Sequence, residues 1–204
     1  MARQERALRT RQKLLEAAAK VISARGYRAA TIAEILKAAD ITKGALYFHF
    51  DSKQALADAI IKEQTLPYAP VEPPSPLQRL IDMSLEIGRG LQTDPLLMAG
   101  TRIAVDTLFD ESPVTPFQDW TGVAVSLLTE ARRAGEVLPH VEPSECAELI
   151  IAAYTGVQLF SQAASGRKDL TERIVTLWKH LLPSIANPAA IAHLDFDKVP
   201  AQLD

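Results

Sequence analysis

TIAEILKAADITKGALYFHFDSK, residues 31–53, holds two short apolar-periodic segments on either side of a tight turn, and each segment opens with a cap. Thr31 followed by Glu34 has the form of a capping box, and Thr42 stands as N-cap before Lys43-Gly44. In the first segment Ile32, Ile35, Leu36 and Ala39 share one face; in the second, Ala45, Leu46 and Phe48 are expected to point back onto it. The connection Ala39-Asp40-Ile41 leaves room only for a sharp corner between helices, the helix-turn-helix arrangement. Thr42, Lys43, Gly44, Tyr47 and His49 remain on the outside of the second segment. Hydroxyl, ammonium, bare backbone, phenol and imidazole can all donate hydrogen bonds to phosphate oxygens or base edges.

Working outward, the charge distribution agrees with that reading. The chain has 204 residues and a net charge of −3. Residues 1–64 carry twelve Lys or Arg against seven Asp or Glu, leaving +5 there and −8 in the rest. A basic quarter on an acidic body suits a polyanion-binding head attached to a solvated partner domain. Residues 1–9 read as a loose arm with Arg3, Arg6 and Arg9 free to reach a phosphate or a minor groove. The first helix is expected from about Thr10 to Arg25, with Leu14, Leu15, Ala18, Val21 and Ile22 buried and Gly26 ending it. A further helix, 53–65, follows the motif, with Asp51 or Ser52 as its cap.

Five prolines between residues 66 and 76 exclude a helix there and make a connector. Beyond it the apolar period is helical throughout, which predicts an all-α chain. Helices are expected over 77–91, from Asp94-Pro95 to about Leu108, from Thr115-Pro116 to Ala134, from 142–144 to Ser165, and over 169–185. In the last of these Ile174, Leu177, Trp178, Leu181, Leu182 and Ile185 form one stripe, too long to leave in water. A homodimer through Leu177, Trp178, Leu181 and Ile185, with Val157 from the preceding helix, would cover it. Residues 195–204 read as a frayed tail.

Other classes are disfavoured. Cys146 is the single cysteine, which excludes an internal disulfide and a cysteine-rich zinc site and fits a reducing, cytoplasmic setting. No apolar stretch is long enough to span a bilayer. His49, His140, His180 and His193 are scattered without metal-ligand spacing, and no nucleophile elbow or phosphate-binding glycine loop exists. An enzyme, a metal and a cofactor are therefore not expected.

At GYRAATIAEILKAADITKGALYFHFDSKQAL, residues 26–56, the chain resembles the TetR family of ligand-responsive repressors. Asp40 departs from the glycine usual in that family's turn, though aspartate tolerates a left-handed backbone better than most residues. The start MARQERA, the GALYFHF string and Pro-Phe-x-x-Trp at 116–120 look like the γ-butyrolactone-receptor branch. The resemblance implies a helix-turn-helix DNA-binding domain over 1–54, a linking fourth helix, a ligand-binding and dimerisation domain over 66–194, and a tail. It implies a homodimer on a pseudo-palindromic double-stranded operator, released by a small signalling lactone, butenolide or furan, that controls antibiotic or secondary-metabolite genes. A repressor of efflux or resistance genes answering to a xenobiotic is the alternative within the same fold.

By the same resemblance Thr31, Thr42, Tyr47, His49 and Lys53 match positions that hold phosphates. Lys43 and Gly44 match positions against base edges. Trp120 becomes a pocket wall, with Val123, Leu127 and Leu128 facing the interior beside it. Thr155, Gln158 and Gln64 are candidate polar partners of the small-molecule inducer. Plainer readings stand alongside: Tyr47 and His49 as braces, Lys53 as a helix-start lysine, Trp120 as core, and Thr155 bonded to its own preceding turn.

Overall fold

A computed structural model describes residues 2–63, 75–110 and 117–196. Among these the chain is helical, apart from an isolated antiparallel bridge between Val137 and Ala186. No helix is long and apolar enough to cross a membrane. The chain divides into two compact units, residues 1–66 with 93–116, and 67–92 with 117–204.

The first unit contains α1 (Ala2–Arg25), α2 (Ile32–Ala39), α3 (Lys43–His49), α4 (Lys53–Glu63) and α6 (Pro95–Asp106). Residues 2–9, expected as a loose arm, instead lengthen α1. Arg6, Arg9 and Arg11 are good helix formers, and nothing between Ala2 and Arg25 breaks the turn. Leu14, Leu15, Ala18 and Ile22 pack with Ile35, Leu46, Phe50, Leu56 and Ile60, and Ala99 and Ile103 of α6 complete that core. Thus α6, grouped by the sequence with the second domain, buries its apolar face in the first.

Local chemistry explains the corners. Gly26 ends α1 at φ 86°, and a Cβ there would stand 2.9 Å from Asp106 Oδ2. That carboxylate accepts the Tyr27 N–H at 2.7 Å and pairs with Arg102, one turn back on α6, at 3.1 Å. The capping box forms as expected: the Glu34 N–H donates to Thr31 Oγ1 at 3.2 Å, and the Thr31 N–H donates to Glu34 Oε2 at 3.0 Å. Asp40 sits at φ 53°, ψ 51°, and its N–H closes α2 on the carbonyls of Leu36 and Lys37. The substitution for glycine keeps the turn. Of the two candidate caps of α4, Ser52 serves, its Oγ accepting the Ala55 N–H at 3.0 Å.

The second unit contains α5 (Pro76–Thr93), α7 (Phe117–Arg133), α8 (Pro143–Ser165), α9 (Leu170–Ile185) and the short α10 (Pro188–Ile191). Leu80, Ile81, Leu85 and Ile87 of α5 are buried as their spacing predicts. A Cβ on Gly88 would press on Ile174 Cδ1 of α9, so a larger residue there requires that side-chain end to shift. Residues 136–138 and 185–187 are joined by the Leu138 N–H to Ile185 carbonyl bond, 2.9 Å, and the Asn187 N–H to Glu136 carbonyl bond, 2.8 Å. The tail is tied at its start. The buried Gln78 amide accepts from Asp195 N at 2.8 Å and donates to Asp195 O at 2.7 Å. Residues 197–204 lie outside the described residues.

Candidate nucleic-acid interface and effector region

Helix α3 is only seven residues long, and Leu46, with the following Phe50, anchors it to the core. Lys43, Gly44, Tyr47 and Phe48 face outward around that anchor. Phe48, expected to pack inward, is 78% exposed. The reason is geometric: two residues on from Leu46 is roughly 200° round a helix of 3.6 residues per turn. Gly44 stands on the same outer line one turn earlier, and a Cβ there would meet nothing within 4 Å. Packing does not demand glycine at 44; its effect is to leave backbone bare on the exposed face.

The other candidate residues differ in how free they are. Thr42 is exposed and accepts the Ala45 N–H at 3.4 Å while capping α3. The Lys43 ammonium lies 5.8 Å from the centre of the Tyr47 ring, within cation–π range. His49 is half-buried, edge-on to Phe48 with ring centres 5.0 Å apart. Thr31 is exposed, but its hydroxyl donates to Glu34 Oε2 at 2.8 Å. That hydroxyl, the Thr31 N–H and Arg25 hold the Glu34 carboxyl below its ordinary range. Lys53 is engaged inside the unit: its ammonium donates to the Tyr27 carbonyl, reaches the Arg28 carbonyl at 3.4 Å, and lies 4.5 Å from the Tyr27 ring centre. Burial pushes its pKa down. The exposed polar face of α3 therefore centres on Thr42, Lys43, Gly44 and Tyr47, with Thr31 and Lys53 at work on the local structure.

In the second unit Trp120 is half-buried on the α7 face that also carries the buried Ala124, Leu127, Leu128 and Ala131. Val123, expected beside it, is 45% exposed, at the edge of the face that Ala124, Leu127, Leu128 and Ala131 bury. Thr155 is half-buried and donates to the Ile151 carbonyl at 2.8 Å, the plainer of its two readings. Gln158 is buried, and its Oε1 accepts from Arg167 Nη2 at 2.9 Å. Among the described residues no hydrogen bond joins Trp120, Thr155 and Gln158. Gln64 lies outside the described residues.

Two groups in this interior escaped the sequence reading. Arg167 is buried at a left-handed φ of 67° and reaches the Leu91 carbonyl at 3.5 Å. Within SGRKD it looks like a loop cation, and the preceding glycine was the one hint. The Tyr154 phenol donates to the Ser84 carbonyl at 3.1 Å, and burial pushes its pKa well up. The Trp178 indole donates to Ser84 Oγ at 2.8 Å.

That bond bears on the dimer residues. Trp178, 1% exposed, and Ile185 both belong to the unit's own core, which leaves neither ring face nor side chain for a partner. Val157, Leu177 and Leu181 are half-buried. Beside them an open groove of about 530 Å³ runs between α8 and α9, bounded by Ala153, Gly156, Val157, Phe160, Thr176 and Leu177. Leu149, Leu159 and Phe160 stand exposed along α8, with the Arg173 guanidinium 4.9 Å from the Phe160 ring centre. Among the described residues no three His, Cys, Asp or Glu side chains gather to hold a metal ion.

Comparison with known proteins agrees with this architecture. Residues 14–60 match the family described as bacterial regulatory proteins, tetR family. Residues 74–186 match the tetracyclin repressor-like C-terminal domain. The A-factor receptor protein of Streptomyces griseus is 43% identical over 95% of this chain and 70% of its own length. The crystal structure of TylP, a tetR regulator from Streptomyces fradiae, superposes with a TM-score of 0.79 at 39% identity, covering 96% of this chain and 87% of that one. A γ-butyrolactone receptor described as ArpA-like superposes with a TM-score of 0.72 at 27% identity, covering 91% and 92%.

Proposed function

The chain belongs to the tetR family of bacterial regulatory proteins, and from that membership we propose a ligand-responsive repressor released from its operator by a γ-butyrolactone, butenolide or furan signal. The observation that carries this reading is the pairing of an exposed α3 face, Thr42-Lys43-Gly44 with Tyr47, with similarity to the A-factor receptor protein over 95% of this chain. Lys43 and the bare backbone at Gly44 read base edges in the major groove; Thr42 and Tyr47 hold phosphates, and His49 steadies the face. The repressor works in the cytoplasm as a homodimer on a pseudo-palindromic operator, controlling antibiotic or secondary-metabolite genes. Its two-fold face is the α8–α9 surface of the exposed Phe160 and the half-buried Val157, Leu177 and Leu181, an apolar surface that asks for a partner.

The signal binds in the second unit among α5, α7 and α8, against Trp120. It can release DNA only by preferring the conformer that does not fit the operator. Moving 99% competent dimers to 99% released takes roughly a 10⁴-fold preference. The test is release of a fluorescent operator duplex by a panel of synthetic γ-butyrolactones, butenolides and furans. Trp120→Ala is expected to keep operator affinity and lose the response. Half-burial makes its stability cost smaller than the roughly 3–5 kcal/mol of a fully buried tryptophan. Release of the folded variant at the wild-type signal concentration would move the pocket away from Trp120.

A further inference from the structure

Phe48 has no role in the face described so far, and its position is unusual for its chemistry. It lies on the outermost line of α3, one turn beyond Gly44, and is more exposed than Tyr47, which is 44% exposed. Isolated apolar side chains on a surface are ordinary, so exposure alone carries nothing. The surroundings do. Thr42, Lys43 and Tyr47 around it are all hydrogen-bonding groups, and Gly44 removes the side chain that would hold an approaching duplex away. The His49 ring meets Phe48 edge-on at 5.0 Å, which restricts how the ring can swing.

A phenyl ring neither donates nor accepts a hydrogen bond, so it cannot read the donor and acceptor pattern of base edges. The apolar feature those edges offer in the major groove is the thymine C5-methyl. We infer that Phe48 is a specificity-determining residue that packs on a thymine methyl in each half-site of the operator. This rests on α3 being the reading helix, and it adds a sequence preference that Lys43 and Gly44 do not supply. Lys43 seeks the acceptors of guanine, whereas Phe48 selects thymine over cytosine at a neighbouring step. It places no demand on the fold, because the residues that anchor α3 in the core are Leu46 and the following Phe50.

The experiment separates this inference from its premise. Wild-type protein selects duplexes from a random-sequence library, and each conserved thymine in the selected site is replaced in turn by uracil, which pairs identically but lacks the methyl. Wild type is expected to lose about fourfold in affinity per half-site at one position, the worth of one buried methyl. Phe48→Ala is expected to bind the unmodified site more weakly and to be indifferent to uracil at that position. Phe48→Leu, still apolar, is expected to keep part of the sensitivity. Unchanged binding by Phe48→Ala would overturn the inference, as would a loss of the same size by that variant relative to wild type on every duplex, substituted or not, which is the mark of a sugar–phosphate contact. A fall in the thermal midpoint of Phe48→Ala would overturn it too, by showing a packing role. Selection of no duplex by wild type would overturn the reading of α3 as the reading helix, while selection with a neutral Phe48 would leave that reading standing.

Discussion

Lys53 has a structural duty in the first unit. Its resemblance to a phosphate-holding position stands beside an internal one: the ammonium caps the Tyr27 and Arg28 carbonyls just after α1 and sits on the Tyr27 ring. Hydrogen bonds from a charged donor are worth about 1.5–3 kcal/mol each when partly sheltered, and these are partly solvated. Lys53→Ala is therefore expected to lower stability by about 1–2 kcal/mol without any DNA present, read from urea unfolding. A residue that only met phosphate would leave unfolding unchanged. At this scale much was legible in the sequence. The capping box of Thr31 and Glu34, the Thr42 cap, the Gly26 stop and the left-handed Asp40 all follow from local chemistry that needs no tertiary partner. Phe48 was misread because a seven-residue helix gives too few turns for apolar spacing to tell one face from the other. Lys53 was read for a phosphate and Gln158 for the inducer, and their internal partners, Tyr27 and Arg167, went unseen because these meet them only through the fold.

The corner between α8 and α9 turns on one carboxylate. Asp169 accepts from Arg173 Nε at 2.8 Å, Ser161 Oγ at 2.6 Å and Ser165 Oγ at 2.7 Å, and these donors, the guanidinium foremost, hold its pKa well below the ordinary value. Because the folded pKa is depressed, the stabilisation is complete above the unfolded pKa, near 4, and is lost as pH falls through the folded value. Asp169→Asn removes that stabilisation at neutral pH. The gap between wild type and variant in urea midpoint is expected to be widest near pH 7 and to narrow steadily below about pH 4. A gap independent of pH would mean the corner is held by shape rather than charge. The helices themselves were readable, because α5 and α9 each show a sustained apolar period. Less readable was which stripe meets which. In α9, Trp178 and Leu177 are adjacent in one stripe, yet Trp178 turns to Ser84 and Leu177 borders the outer groove. A stripe of six positions is wider than the face one neighbour covers, and periodicity cannot divide it.

For the whole molecule the proposed association is between two copies. With Trp178 and Ile185 committed inside, the proposed two-fold contact rests on Val157, Phe160, Leu177 and Leu181 of α8 and α9. Leu177→Glu with Leu181→Glu is expected to give a folded monomer by sedimentation, with operator affinity lost by orders of magnitude, because one head engages one half-site. Tight operator binding by that monomer would end the two-headed scheme. The domain division was the part least visible in the sequence. Proline density marks 66–76 plainly, but nothing in PLLMAGTRIAVD, residues 95–106, announces that its apolar face completes the first unit's core.

The head is thus discontinuous along the chain, and that has a consequence for its birth on the ribosome. At roughly 5–20 residues per second, the stretch between Glu63 and Asp106 takes on the order of 2–9 s to synthesise. During that interval Leu14, Ile22 and Ile60 are already made while Ala99 and Ile103, which close over them, are not. A chain stopped before Ala99 leaves that core without its α6 side, and is expected to unfold at a lower urea concentration than the same residues within the full chain.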